Sequence, residues 1–252
     1  MRLSPLVCAH RGRSSLFPEN TMIAYEAAIE VGADFMELDV RRTVDGELVC
    51  IHDPTVDRTT DGSGEVEQMT LAEVQALDAG AWLDDEHAGA RIPLLQDVLK
   101  QIAPRLVVDI EIKQREIAEQ VAQIIRETDA LRRVTVVSFD HDDLRTAKAA
   151  EPSLACGLIT SGPEEEADEP ERALIASALE CGASFMSCSH RSVTPTLVRE
   201  CQLAGLTLMA WTMDEPEDIR RMIDLRVSAL VSNYPERVLA MLDGAASGDA
   251  GR

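Results

Sequence analysis

Lysine is nearly absent from this chain, aromatic residues are few, and acidic residues outnumber basic ones. Among 252 residues there are three lysines (Lys100, Lys113 and Lys148), and 24 Lys plus Arg face 45 Asp plus Glu, for a formal charge of −21. A field of that sign repels phosphate backbones and anionic lipid surfaces. It argues against nucleic acid and against stable membrane association. An anionic small molecule would have to be drawn in by local cations or a metal ion. No apolar run approaches the roughly 18 residues that a membrane-spanning helix needs. No signal-peptide core is visible, since His10 and Arg11 follow the start almost at once. Six cysteines, at 8, 50, 156, 181, 188 and 201, contain no Cys-x-x-Cys pair and mostly sit inside apolar runs. They read as reduced, buried small hydrophobes, so a reducing, cytoplasmic location is expected.

What is present is an apolar fraction of 45%, ordinary for a globular protein, in a chain long enough for one large core. Short β-rich runs alternate with helical patterns. The runs are 6–10, 35–40, 48–52, 106–112, 134–138, 155–159, 185–188, 207–211 and 229–232. Helical patterns cover 21–31, 71–77, 94–102, 117–128, 142–150, 170–181, 194–204 and 216–224. Such alternation predicts an α/β fold with a parallel sheet and helical crossovers. Nine runs are one more than a (β/α)8 TIM barrel needs. Asp45-Gly46 between two β-like runs is a hairpin signal. A two-residue turn there places His52 opposite Asp39 and makes 48–52 an antiparallel partner of the second strand. The expectation is a single barrel domain over 1–243, with a small insertion at about 44–92 and a disordered Gly/Ala/Ser-rich tail over 244–252. The oligomeric state, including a homo-oligomer, is left open.

The charged residues that matter sit at strand ends. They are His10-Arg11-Gly12 after the first run, Glu37-Leu-Asp39 in the second, His52-Asp53 after the hairpin return, and Glu111-Ile-Lys113 in the fourth. Strand C-terminal ends are where barrel active sites lie. Glu37 and Asp39 are two apart on a strand and so share a face, as do Glu111 and Lys113. Three converging carboxylates repel one another, and a divalent cation relieves that repulsion. An all-oxygen set suits Mg²⁺ or Ca²⁺ better than Zn²⁺. A plain buried ion-pair set is the competing explanation, and four such strand ends in one chain weigh against it. His10 and His52 can move protons near neutral pH. Arg11 and Lys113 offer fixed positive charge for phosphate oxygens. Pro18-Glu19-Asn20-Thr21 reads as a helix start whose Glu19 and Asn20 also brace the site. Phe139 and Trp211 end strands and are candidates for lining a substrate pocket, against ordinary core packing. His190 reads equally as pocket-lining or as a surface histidine.

The ordered set His-Arg-Gly, Pro-Glu-Asn-Thr, Glu-Leu-Asp-Val, His-Asp, Glu-Ile-Lys and Trp-Thr, running from about residue 6 to 237, resembles the glycerophosphodiester phosphodiesterase family. The resemblance implies a TIM barrel with a small insertion after the second strand. It implies hydrolysis of a small-molecule glycerophosphodiester to sn-glycerol 3-phosphate and an alcohol. By motif match, Glu37, Asp39 and Glu111 would hold one divalent cation, His10 and His52 would form the acid–base pair, and Arg11 and Lys113 would bind phosphate. Glu19, Asn20 and Asp53 would support them. The glycerol 2-hydroxyl or a water would be the nucleophile. The chain departs from the family where a Thr-Asp-x-Pro pattern usually ends the last strand, since Ser232-Asn233-Tyr234-Pro235 stands there. Asn233 can still hydrogen-bond and is expected to keep the barrel end supported. Two other readings use the same motifs. A lysophospholipase D or sphingomyelinase D-like enzyme on a lipid sits poorly with the acidic charge and lack of an anchor. A non-catalytic binding barrel sits poorly with two intact histidines and three intact carboxylates.

Overall fold

The computed structural model describes residues 4–164 and 166–249. The elements follow in the order β1 (Leu6–Ala9), α1 (Met22–Glu30), β2 (Phe35–Arg42), β3 (Leu48–Cys50), α2 (Leu71–Ala76), α3 (Leu95–Gln101), β4 (Val107–Ile112) and α4 (Ala118–Glu127). Then come β5 (Val134–Ser138), α5 (His141–Ala150), β6 (Ala155–Thr160), α6 (Pro170–Glu180), β7 (Phe185–Ser189), α7 (Pro195–Leu203), β8 (Thr207–Trp211), α8 (Pro216–Leu225), β9 (Ala229–Ser232) and α9 (Pro235–Asp249). The sheet runs β1-β9-β8-β7-β6-β5-β4-β2-β3, and a β1–β2 pairing closes it into a barrel of eight parallel strands. Antiparallel β3 hangs from the outer end of β2. This is the TIM-barrel fold.

Strand parity divides the apolar residues into two cores. Val7, Ala9, Met36, Leu38, Val40, Val108, Ile110 and Ile112 face outward into a large cluster shared with the helices. Cys8, Phe35, Val137, Ile159, Phe185, Met209, Ala229 and Val231 face inward and fill the barrel. A parallel strand is covered on both sides, so it carries apolar residues at both parities. The helices match this outer layer. In α4, Ala118, Val121, Ala122 and Ile125 are buried, a stripe one turn apart repeated twice. Each fully buried aliphatic side chain contributes roughly 1.5–3 kcal/mol. A third cluster, including Val49, Ile51, Val56, Val66, Val74 and Ile92, gives the segment between β3 and α3 its own small core.

Three details differ from the sequence-based expectation. The β2–β3 connection is a three-residue loop, because Gly46 adopts φ +93° and Thr43 N–H donates to Glu47 O at 2.9 Å. The register therefore moves by one residue. Val40 faces Cys50, and Asp39 O accepts from Ile51 N–H at 3.0 Å, so Asp39 stands opposite Ile51 rather than His52. His52 lies just beyond the strand end, where the pleat no longer dictates its direction. Second, a ninth helix, α9, follows β9, although its sequence did not stand out as helical. Third, α9 continues to Asp249, through much of the stretch expected to be a disordered tail. Residues 250–252 lie outside the described ones.

The loop from β1 to α1 crosses its own helix at close range. Gly12 has φ +81°, and a Cβ there would meet Ala24 C at 2.6 Å and Ala24 O at 2.7 Å. Both the conformation and the space demand glycine. Gly12→Ala is expected to lower stability by at least about 2 kcal/mol, from a strained positive φ plus overpacking against backbone. Urea unfolding of the variant checks this, and a loss below about 0.5 kcal/mol would show that the loop moves away freely.

Candidate active site

Inward parity carries a run of acids up the barrel wall. On β2 the inward positions are Phe35, Glu37 and Asp39, and on β4 they are Val107, Asp109 and Glu111, with the two strands in register from Phe35↔Val107 to Val40↔Ile112. Glu37, Asp39 and Glu111 are buried, and each offers an oxygen within 4.8 Å of the other two. Oxygens bound to one cation at about 2.0–2.6 Å lie no more than about 5 Å apart, so this spacing fits a single hard ion. Two of the atoms, Glu37 Oε1 and Asp39 Oδ1, are buried with no hydrogen-bond partner. Lone buried carboxylate oxygens are costly, and a cation is the partner that such an acceptor-only set lacks. The residues present therefore fit a divalent ion.

The protonation pattern follows from the crowding. Burial, then repulsion from Asp39 and Glu111, pushes the Glu37 carboxyl well above its ordinary value. Glu111 is raised to about 7 by burial and by Asp39, partly opposed by Lys113 and Arg11. Asp109, deeper in the barrel and bonded to Thr135 Oγ1, is raised to about 7 by burial. Nothing singled Asp109 out in the sequence beyond its matching parity with Glu111.

Positive groups are built into the same wall. Lys113 Nζ donates to Glu111 Oε1 at 2.6 Å and lies 3.9 Å from Asp39 Oδ1. Arg11 has φ +56°, which turns its backbone N–H onto Glu37 Oε2 at 3.1 Å. Its guanidinium donates to Glu19 Oε1 at 2.9 Å, with Nε 3.1 Å from Asp39 Oδ2. Asn20 also has a positive φ, of +56°. Its amide donates to Asp39 Oδ2 at 2.8 Å, while its oxygen accepts from Asp39 N–H and from Tyr25 OH. The cap of α1 is Thr21, whose Oγ1 accepts from Ala24 N–H, so Asn20 is released from capping to brace Asp39. Both left-handed residues belong to one loop and are joined by Asn20 N–H donating to Arg11 O at 3.1 Å, the kind of backbone strain that clusters at functional sites.

The histidines flank the acids. His10 lies inside the mouth, its Nδ1 2.7 Å from Asn233 Oδ1 and its Nε2 3.8 Å from Glu37 Oε2. Burial, then Arg11, lowers His10 to about 4, with Asn233 opposing. The His52 Nδ1 lies 2.6 Å from Asp53 Oδ1, and its pKa is lowered by burial first, with Asp39 and Asp53 opposing. A cavity of about 240 Å³ opens between them. His10, Arg11, Glu37, His52, Asp109, Glu111 and Lys113 line its polar side, while Val137, Phe139, Ile159, Trp211 and Val231 line the apolar side with Ser187 and Thr212. Phe139 and Trp211 meet edge to face at 6.0 Å, and Trp211 Nε1 donates to Ser187 O. Asp39 sits beneath the surface of this cavity, fully buried. His190 is not among the lining residues; it packs against α8 with Nδ1 3.3 Å from Asp218 Oδ1.

Arg58 gave no sequence signal, yet it pins the segment after β3 to both sides of the site. It donates to both oxygens of Glu19 at 2.8 Å and to Asp53 at 2.7 and 3.1 Å. Burial alone would raise Glu19, but Arg58 and Arg11 outweigh it and hold Glu19 at about 2. Asp53 is lowered chiefly by Arg58. Both folded-state values are depressed, so this linkage stabilises the native state above the ordinary carboxylate range and is lost as pH falls toward about 2. In Arg58→Met, stability is expected to fall less steeply between about pH 4.5 and pH 2 than in the parent. Denaturant midpoints across that range check it, and parallel curves would mean the pairs contribute nothing.

A parallel eight-stranded barrel whose C-terminal mouth gathers acids, two histidines and two cations is an enzyme site of the TIM-barrel class. The family model described as the Glycerophosphoryl diester phosphodiesterase family matches residues 10–237. A glycerophosphodiester phosphodiesterase of Caldanaerobacter subterraneus subsp. tengcongensis is 39% identical over 246 residues, which is 95% of this chain and 98% of that protein. The solved structure of a glycerophosphodiester phosphodiesterase from Agrobacterium tumefaciens superposes with a TM-score of 0.82 at 29% identity, covering 94% of this chain and 99% of that one. A phosphodiesterase of Oleispira antarctica, solved in complex with the product sn-glycerol-3-phosphate, superposes with a TM-score of 0.85 at 26% identity, covering 95% and 97%. The chain belongs to the glycerophosphoryl diester phosphodiesterase family and is a phosphoric diester hydrolase.

Proposed function

We propose that this chain hydrolyses small glycerophosphodiesters to sn-glycerol 3-phosphate and an alcohol, with one divalent cation, Mg²⁺ or Ca²⁺, held by Glu37, Asp39 and Glu111. The observation that carries the reading is the buried acid trio with two unpartnered oxygens, set between two histidines that line one cavity. When bound, the cation would offset charge that builds on the phosphate oxygens. Arg11 and Lys113 would hold those oxygens from the other side. His10, neutral at its lowered pKa, would take the proton of the attacking nucleophile, the glycerol 2-hydroxyl or a water. His52, backed by Asp53, would return one to the leaving alcohol. Phe139 and Trp211 would give the organic part of the substrate an apolar wall. Glu19, Asn20 and Asp53 would keep Arg11, Asp39 and His52 in place.

The surroundings of such an enzyme fit the cytoplasm, since all six cysteines are free and buried. Among the described residues no helix is long and apolar enough to cross a membrane. The acidic charge supports a small-molecule partner over nucleic acid or a membrane.

Glycerol 3-phosphate release from glycerophosphocholine, with Mg²⁺, with Ca²⁺ and with excess chelator, tests the reaction and the cofactor together. Release that survives the chelator would remove the cation from the reading. No release in any condition would move the substrate to a lipid such as lysophosphatidylcholine. A cyclic phosphate seen transiently by ³¹P NMR would identify the glycerol 2-hydroxyl as nucleophile; its absence would favour water.

Glu37→Gln and Asp39→Asn are expected to abolish activity and to remove the rise in melting temperature that saturating metal gives the parent, a rise that follows from binding to the native state alone. An unchanged metal-induced shift in both variants would take them out of the ligand set. His10→Ala and His52→Ala are each expected to cost at least about 100-fold in kcat. A loss of only a few-fold in either would end its acid–base assignment.

A further inference from the structure

The side chain that holds His10 is neutral, and it is itself held. Asn233 Oδ1 lies 2.7 Å from His10 Nδ1, and Asn233 Nδ2 donates to Asp214 Oδ2 at 2.7 Å. The other Asp214 oxygen accepts from Asn233 backbone N–H at 3.0 Å and from Ser232 Oγ at 3.2 Å. Arg237 Nη1 anchors the backbone by donating to Asp214 O.

An amide side chain can turn end for end, exchanging its oxygen and its NH2 group, with almost no change of shape. Beside a carboxylate it cannot turn, because a carboxylate only accepts. Asp214 therefore draws the NH2 group to itself and leaves the amide oxygen toward His10. An oxygen at Nδ1 requires a proton on Nδ1. The lone pair is then on Nε2, the ring nitrogen on the Glu37 side. Ser14 Oγ, 3.0 Å from Asn233 Oδ1, does not fix the choice, since a hydroxyl can donate or accept.

We infer that Asp214 is a positioning residue for the reaction: through the Asn233 amide it selects the His10 tautomer whose Nε2 can accept a proton from the substrate. The inference rests on the acid–base role proposed for His10.

Asp214→Asn sets one NH2 group against another. The Asn233 amide then turns, donates to His10 Nδ1, and moves the imidazole proton to Nε2. Fixing the wrong tautomer costs about 10⁴-fold in a serine-protease triad. Here kcat is expected to fall at least about 100-fold with KM little changed, the lower end reflecting a longer relay. Ring ¹⁵N chemical shifts of His10 are expected to change from the Nδ1–H to the Nε2–H pattern. The double variant Asp214→Asn/Asn233→Asp restores an amide–carboxylate pair with the acceptor again facing Nδ1. It should recover the Nδ1–H pattern and at least about tenfold of the lost kcat. A merely structural Asp214 would give a loss that the double variant deepens, and that result overturns the inference. So does an unchanged His10 ring pattern in Asp214→Asn. The two possible failures are separable. Activity surviving in His10→Ala removes the acid–base reading, whereas the ¹⁵N pattern in Asp214→Asn tests the Asp214 relay by itself.

Discussion

Three carboxylates at the barrel mouth repel one another, and most of the site is an answer to that repulsion. With oxygens of Glu37, Asp39 and Glu111 within 4.8 Å, each like-charged pair costs about 3.5 kcal/mol at an effective dielectric near 20. Lys113 sits on Glu111, Arg11 spans Glu37 and Asp39, and Asn20 donates to Asp39. Lys113 follows directly on β4, but the other two partners belong to a loop that takes an uncommon shape to reach the acids. Arg11 and Asn20 both adopt a left-handed backbone for this purpose. Even so, two oxygens are left without a hydrogen-bond partner, so the cluster could hold a cation, which a closed ion-pair set could not.

The two histidines are backed in opposite ways. His10 leans on a neutral amide inside the mouth, just past the end of β9, while His52 leans on the Asp53 carboxylate at the more exposed rim. Different backing gives two chemically identical groups different surroundings, as the proposed acid–base pair would need. The rim side is stiffened from outside the barrel. Arg58 belongs to the segment after β3, which has its own small core, and it joins Glu19 and Asp53 in one network. Thus an appendage that adds nothing to the barrel's closure tightens the placement of Arg11 and His52.

Much of this was legible from the order of residues. Parity alone put Glu37 with Asp39 and Glu111 with Lys113, and the structure gathers Glu37, Glu111 and Lys113 with His10, Arg11 and His52 around one cavity, with Asp39 buried just beneath it. The excess ninth strand was readable because Asp45-Gly46 marks a hairpin. Its register was not, because Gly46 closes a three-residue loop rather than a two-residue one, and a one-residue difference is invisible until the ladder forms. Helix α9 is anchored by its first half, where Val238, Leu239, Met241 and Leu242 pack into the large outer cluster, while its second half is rich in Gly, Ala and Ser and carries no apolar stripe in the sequence. For His190 the sequence left pocket and non-pocket placements equally open; the turn after β7 buries it against Asp218, away from the cavity lining.

The sequence by itself determined the barrel, its orientation of acids toward the interior, and the chemistry on offer, because strand parity and strand-end position are local properties of the chain. Only the tertiary structure decided which groups answer which. Arg58 reaches Glu19 across 39 positions, Asn233 reaches His10 across 223, and Asp214 turns that amide by approaching from a different strand end. Those contacts depend on barrel closure, which brings β9 beside β1 and so lets the last loops of the chain set the state of a histidine near its start.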